Sequence, residues 1–177
     1  MKNFLQAIMV LMLCNVLISS NTVKAQENKN YDVKSIDGVI SALYASISGE
    51  KGEARNWEMF ADLFVPDAKL IPSVKSPEGK ITYRYWTPDQ YKEQAGKWLV
   101  ENGFHEVEVY RVKEEFGPIA HLFSTYESRH SALDEKPFAR GINSIQLLND
   151  GERWWVLSIY WSSESETNPI PEKYLPK

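Results

Sequence analysis

The groups best suited to chemistry lie in the C-terminal half of the chain, and His121 is the first of them. It sits mid-way along Ile119–His130, a stretch that alternates in the manner of a strand. An imidazole titrates near neutrality, so His121 could act as a general acid or base. The plainer reading is a partly buried ring held by a backbone carbonyl or a neighbouring hydroxyl. Arg140, Asn143 and Gln146 form a second polar group, with Tyr126 upstream and Trp161 on the last strand. Arg140 could grip a carboxylate or an enolate-like oxygen, or it could pair with Glu127 across a hairpin. Buried polar groups need partners, so this segment either lines a wet pocket or forms an internal network.

Asp62 and Asp67 flank the end of an apolar helical segment. Asp67 follows Pro66, where an aspartate commonly closes a turn. Trp57, Phe60, Trp86, Tyr91 and Trp98 are spaced as core residues are. Around an open cavity the same side chains would give an apolar ligand its shape and contact. His105, His121 and His130 are scattered, with no His-x-x-x-His, so no metal site is expected. Gly-x-Ser-x-Gly, Walker and dinucleotide motifs are missing, which argues against a serine hydrolase, an NTPase and a Rossmann oxidoreductase. No cofactor is expected.

These residues need a scaffold. Asp32 is a candidate N-cap for a first helix, whose stripe is Val33, Ile36, Ile40, Leu43, Tyr44 and Ile47. A second helix is expected from about Glu53 to Phe64, stopped by Pro66. Ala68–Val74 and Ile81–Trp86 read as short strands. Thr87-Pro88-Asp89-Gln90 is a capping box with proline at the first helical position, and opens a third helix. Phe104–Lys113, Ile119–His130, Pro137–Leu148 and Arg153–Ser162 then read as four long strands. Asp150-Gly151 is the strongest hairpin turn among them. Helices first and antiparallel strands after make an α+β fold.

Two stretches carry a resemblance to the NTF2-like superfamily, which includes the SnoaL-like cyclases, ketosteroid isomerase and scytalone dehydratase. Trp57 to Ala68 looks like the second-helix signature, in which aromatic positions lead to a Phe and then Asp-Ala opens a strand. Asp150 to Val156 is similar to the final-hairpin signature, a turn followed by Trp and an aliphatic residue. The resemblance covers about residues 33–162 and implies a cone of three N-terminal helices on a curved antiparallel sheet, enclosing a cavity for a small, mostly apolar molecule. Trp57, Phe60, Trp86, Tyr91, Asn143 and Trp161 would contact that molecule. Three activities follow as expectations. The domain binds a small apolar or amphipathic ligand unchanged. Or it is a cofactor-independent isomerase, lyase or cyclase, with His121 as acid/base beside Tyr126 and Arg140. Or it is a dimeric interaction module with no ligand.

Residues 1–25 have the form of a cleavable secretory signal. Lys2 precedes an apolar run from Phe4 to Ile18, and Val23-Lys24-Ala25 fits the small-residue rule before the cut. That run is about fifteen residues, short of the roughly twenty a spanning helix needs. Residues 26–162 would form the domain and 163–177 a surface tail, in a protein exported to the periplasm or beyond. With Lys2 and Lys24 removed, 18 basic residues face 24 acidic ones and the net charge falls from −4 to −6. An acidic chain with no basic run is a poor partner for nucleic acid or an anionic membrane. The single cysteine, Cys14, leaves with the leader, so an ordinary core must supply the stability. The last strand is apolar on both faces: Trp154, Val156, Ser158 and Tyr160 on one, Trp155, Leu157, Ile159 and Trp161 on the other. Helices would cover one face and a second copy of the sheet the other, which predicts a homodimer.

Overall fold

A computed structural model describes residues 30–177. The expected signal segment and its cleavage point lie outside the described residues. Helix α1 (Ile36–Ile47) forms on the expected apolar stripe, but its N-cap is Ser35, whose hydroxyl accepts from the Gly38 N–H at 3.0 Å. Asp32 stands one step back, accepting from the Ser35 hydroxyl and from the Lys34 N–H. Helix α2 is shorter than its sequence suggests, Trp57–Asp62, with Asn56 as cap. The preceding residues are held in a loop by Arg55, which is 5% exposed. Its guanidinium donates to the carbonyls of Glu53, Gly49 and Leu99 at 2.7, 2.8 and 2.6 Å. Helix α3 (Pro88–Asn102) starts on the Thr87–Gln90 capping box as expected and ends at Gly103. There φ is +72°, and a Cβ would strike the His130 carbonyl, so only glycine fits.

Six strands form one sheet in the order β2-β1-β6-β5-β4-β3. They are β1 (Phe64–Lys75), β2 (Ile81–Tyr83), β3 (His105–Phe116), β4 (Ile119–Arg129), β5 (Ala139–Asn149) and β6 (Trp154–Ser163). Strand β1 begins directly after α2, so Pro66 lies within the strand and does not end the helix. It is accommodated because the β1–β6 register shifts between Phe64 and Lys69, where a missing N–H leaves no ladder bond unmade. Four of the five strand pairings are antiparallel. The pairing of β1 with β6 is parallel, a departure from the all-antiparallel expectation. A parallel neighbour needs a long crossover, and α3 with β3, β4 and β5 supplies it.

Two bulges decide which side chains face the helices. In β6, Leu147 pairs with Val156 but Gln146 pairs with Ser158, so Leu157 is an extra residue. A bulge of this kind shifts the alternation by one. The buried set is therefore Trp154, Val156 and Ile159, with Trp161 packed against them, and not the period-two set read from the sequence. In β3 the register slips between Glu108 and Tyr110. Strand β4 has no slip. It sends Ala120, Leu122, Ser124, Tyr126 and Ser128 inward, all buried, against α1 and its neighbours.

The tail after β6 is ordered against the outer face of the sheet. Ile170 is 9% exposed and donates its N–H to Glu164 at 2.9 Å. The Thr125 hydroxyl donates to the Tyr174 carbonyl at 2.7 Å, and the Tyr174 ring meets Phe123 at 4.9 Å. The covering that sequence assigned to a second subunit thus comes in part from the chain's own last residues.

Candidate functional site

Between α1, α3 and the inner face of the sheet lies a cavity of about 280 Å³. Leu43 and Ile47 of α1, Tyr91 and Leu99 of α3, and Ile159 and Trp161 of β6 give it apolar walls. Phe60 closes one end, stacked on Tyr91 at 5.5 Å. Trp98 and Phe138 line the cavity and are 45% and 46% exposed, so they mark the side on which it reaches solvent.

One wall is polar, and its centre is Glu106. The β3–β4 register places Glu106 opposite Ser128, and therefore on the inner face. The Ser128 hydroxyl donates to Oε2 at 3.0 Å and the Asn143 amide to Oε1 at 3.4 Å. Glu106 is partly buried and lines the cavity. Burial pushes its carboxyl from the ordinary carboxylate range up to about 7, with the two hydrogen bonds pulling weakly the other way. The Asn143 amide is itself fixed by a directed chain. It donates to the Tyr44 hydroxyl at 3.0 Å, which shares a 2.8 Å bond with Ser124, which donates to Glu108 at 2.5 Å. Because the Ser124 proton goes to Glu108, Tyr44 must donate to Ser124, and its oxygen is free to accept from Asn143. Arg111 anchors the far end, bridging Glu108 and Asp37. Burial raises the phenols of Tyr44, Tyr91 and Tyr126, the last to about 12, so all three stay neutral. Gly141 makes room for the Tyr126 hydroxyl, which a Cβ at that position would strike. That hydroxyl lies 3.3 Å from Ser163.

Of the residues singled out from the sequence, Phe60, Tyr91, Trp98, Tyr126, Asn143 and Trp161 meet at this cavity. His121 does not. Strand alternation turns it to the outer face, where Nε2 lies 3.1 Å from the Ser144 hydroxyl and Nδ1 lies 3.8 Å from Glu114. The plainer reading of a ring held by a neighbouring hydroxyl is the one the geometry shows. Arg140 also lies outside the cavity lining. It pairs with Glu164 at 3.1 Å, while Glu127, directly opposite it, takes Arg129 at 2.6 Å. Trp57 stands behind the wall, edge-on to Phe60 at 5.5 Å, and lines a separate cleft with Glu58 and Lys92. Trp86 backs Trp161 at 6.5 Å without reaching the cavity. Glu106, Ser128 and Tyr44 are the site residues that sequence reasoning missed. In Phe104–Lys113 the valines alternate with glutamates, a pattern that reads as valines in and glutamates out. The structure has the reverse there: Val107 is 45% exposed and Glu106 faces the cavity.

No family model matches the sequence, and no curated protein matches it. Solved structures do. A protein of unknown function with a cystatin-like fold from Nostoc punctiforme superposes with a TM-score of 0.55 at 9% identity, covering 76% of this chain and 97% of its own. LinA superposes with a TM-score of 0.55 at 8% identity, over 80% of this chain and 91% of its own. An NTF-2-like protein of unknown function from Silicibacter pomeroyi gives 0.50 at 12% identity, over 72% and 92%. The fold is NTF2-like. At these identities the likeness speaks for the architecture alone. In this NTF2-like cone the chemistry has to be read from the wall around Glu106: a carboxyl poised to gain or lose a proton near neutrality, an oriented amide and neutral phenols.

Proposed function

We propose that this exported domain binds a small, largely apolar molecule in its cone, with one polar end against Glu106, Asn143 and Tyr126. The observation that carries the reading is the cavity itself, about 280 Å³ with aromatic and aliphatic walls and a single polar face. A water occupies about 30 Å³ of liquid, so there is room for a ligand of about ten non-hydrogen atoms. That volume is near the lower end of the roughly 300–1,000 Å³ found for small-molecule sites. Native mass spectrometry of protein purified from its own host tests the reading. A small molecule should travel with the folded protein and leave on denaturation. An empty protein whose Trp161 fluorescence responds to no apolar compound of this size would refute it.

A second reading is favoured by the place of Glu106 on the cavity wall, where burial raises its carboxyl to about 7. A general acid or base works best when its pKa lies near the working pH. Glu106, and not His121, would then serve a cofactor-independent isomerase or lyase, with the Tyr126 phenol donating to a developing oxyanion. Incubation with small ketones in D₂O should place deuterium next to the carbonyl, and Glu106→Gln should abolish it. Equal incorporation in the two proteins would sink this reading.

We also infer a homodimer through the sheet. Val107, Val112, Phe116 and Ile119 remain exposed at the β3–β4 end of the sheet. Light scattering should give twice the chain mass, and Phe116→Lys should halve it; a wild-type monomer would remove the proposal.

A further inference from the structure

We propose that the cavity's ligand is a small apolar amine, held with its ammonium on the Glu106 carboxylate and its hydrocarbon part among the aromatic walls. This rests on the reading that the cone binds a small molecule, and it adds the ligand's charge.

The contrast with the other recessed carboxylates carries the argument. Glu108 has Arg111, Glu127 has Arg129, Glu164 has Arg140 and Asp62 has Arg153, each at 3.1 Å or less. Glu106 lines the cavity and forms no ion pair among the described residues. Its partners are a hydroxyl and an amide. No Lys, Arg or His lines the cavity. A carboxylate has about four acceptor positions; Ser128 and Asn143 occupy two, and the cavity lies against the remainder. A buried charge without a counter-charge is costly, and the missing cation has one open place to come from.

The surroundings of Glu106 suit a cation from every side. Tyr44 of α1, Tyr91 of α3 and Tyr126 of β4 are neutral phenols; the oxygens of Tyr91 and Tyr126 can accept, while that of Tyr44 takes the Asn143 amide of β5. Glu108 points the same way from β3 but is neutralised by Arg111. Tyr91, Trp161 and Phe60 line the same cavity as Glu106, and aromatic rings there favour an ammonium. An anionic ligand would meet like charge there. A neutral alcohol would fill the volume and leave the carboxylate uncompensated.

The test uses isosteric pairs, 2-phenylethylamine against 2-phenylethanol and hexylamine against 1-hexanol, titrated calorimetrically into the full folded protein. Measurements are made at about pH 5.5 and about pH 8.5, either side of the Glu106 pKa of about 7 and below the amine pKa of roughly 10. At the higher pH the amines should bind about tenfold tighter than the alcohols, the difference between a charge-assisted and a neutral hydrogen bond. The preference should disappear at the lower pH and in Glu106→Gln. The wild-type pH series stands by itself if the variant folds poorly. Alcohols binding as well as amines at the higher pH would overturn the amine and leave the cavity reading intact. A co-purifying ligand with no basic nitrogen would do the same. Failure of all four compounds, with no molecule carried from the host, would overturn both.

Discussion

Replacing Glu106 by Gln should stabilise the protein above neutral pH. The carboxyl's pKa rises from 4.5 to about 7 on folding. Between those values the native state holds a proton that the unfolded chain has released, so stability falls as pH rises through this window. A shift of about 2.5 units at about 1.36 kcal/mol per unit amounts to about 3 kcal/mol lost by pH 8. Water entering the cavity lowers the figure, so about 2–3 kcal/mol is the working range. Gln keeps the shape and an acceptor for the Ser128 hydroxyl but carries no charge to desolvate. Urea unfolding of the wild type and Glu106→Gln should therefore coincide within about 0.5 kcal/mol at about pH 3.5, below both pKa values. At pH 8 they should differ by about 2–3 kcal/mol, a melting shift of roughly 5–10 °C for a domain of this size. If Gln costs stability at pH 8, the carboxylate is ionised and satisfied in the native state, and the account of the polar wall is wrong.

His121→Ala should leave ligand affinity unchanged within about twofold, because the ring lies on the opposite face of β4 from Tyr126; a tenfold loss in calorimetry would contradict the placement. Arg55→Met should cost about 2–4 kcal/mol in urea unfolding, since three carbonyls lose a buried charged donor. Gly103→Ala should cost roughly 1–3 kcal/mol or more, as both the positive φ and the His130 carbonyl oppose a side chain. Ile170→Ala should cost about 2 kcal/mol and speed hydrogen exchange at Thr125, where the tail lies; no change at either would mean that the tail does not pack.

The elements were legible where local rules act unopposed. The Thr87–Gln90 capping box and the Asp150-Gly151 hairpin formed as read, and α1 formed on its stripe from Ile36 onward. The errors trace to events that period-two and period-3.6 patterns do not encode. The extra Leu157 in β6 moved Ile159 and Trp161 onto the same face as Trp154 and Val156. Strand β1 accepted Pro66 because a register shift removed the need for its N–H. The parallel β1–β6 pairing joins segments some ninety positions apart, and nothing local announces it. The candidate site was half legible. Tyr126, Asn143, Tyr91, Phe60 and Trp161 were in view because aromatic and amide groups on long strands stand out. Glu106 was hidden by a pattern that favoured its valine neighbours as the inward set, against its actual place on the cavity wall.

The position of β6 has a consequence for assembly of the chain. It lies between β5 and β1, in the middle of the sheet, yet it is the last of the six strands to leave the ribosome. Until residues 154–163 arrive, the first helices and the β1–β2 ribbon have no partner along β1's open edge, and the β3–β4–β5 meander waits apart from them. Neither half can complete its hydrogen bonding alone, so maturation should be all-or-none and slow for a chain of this length.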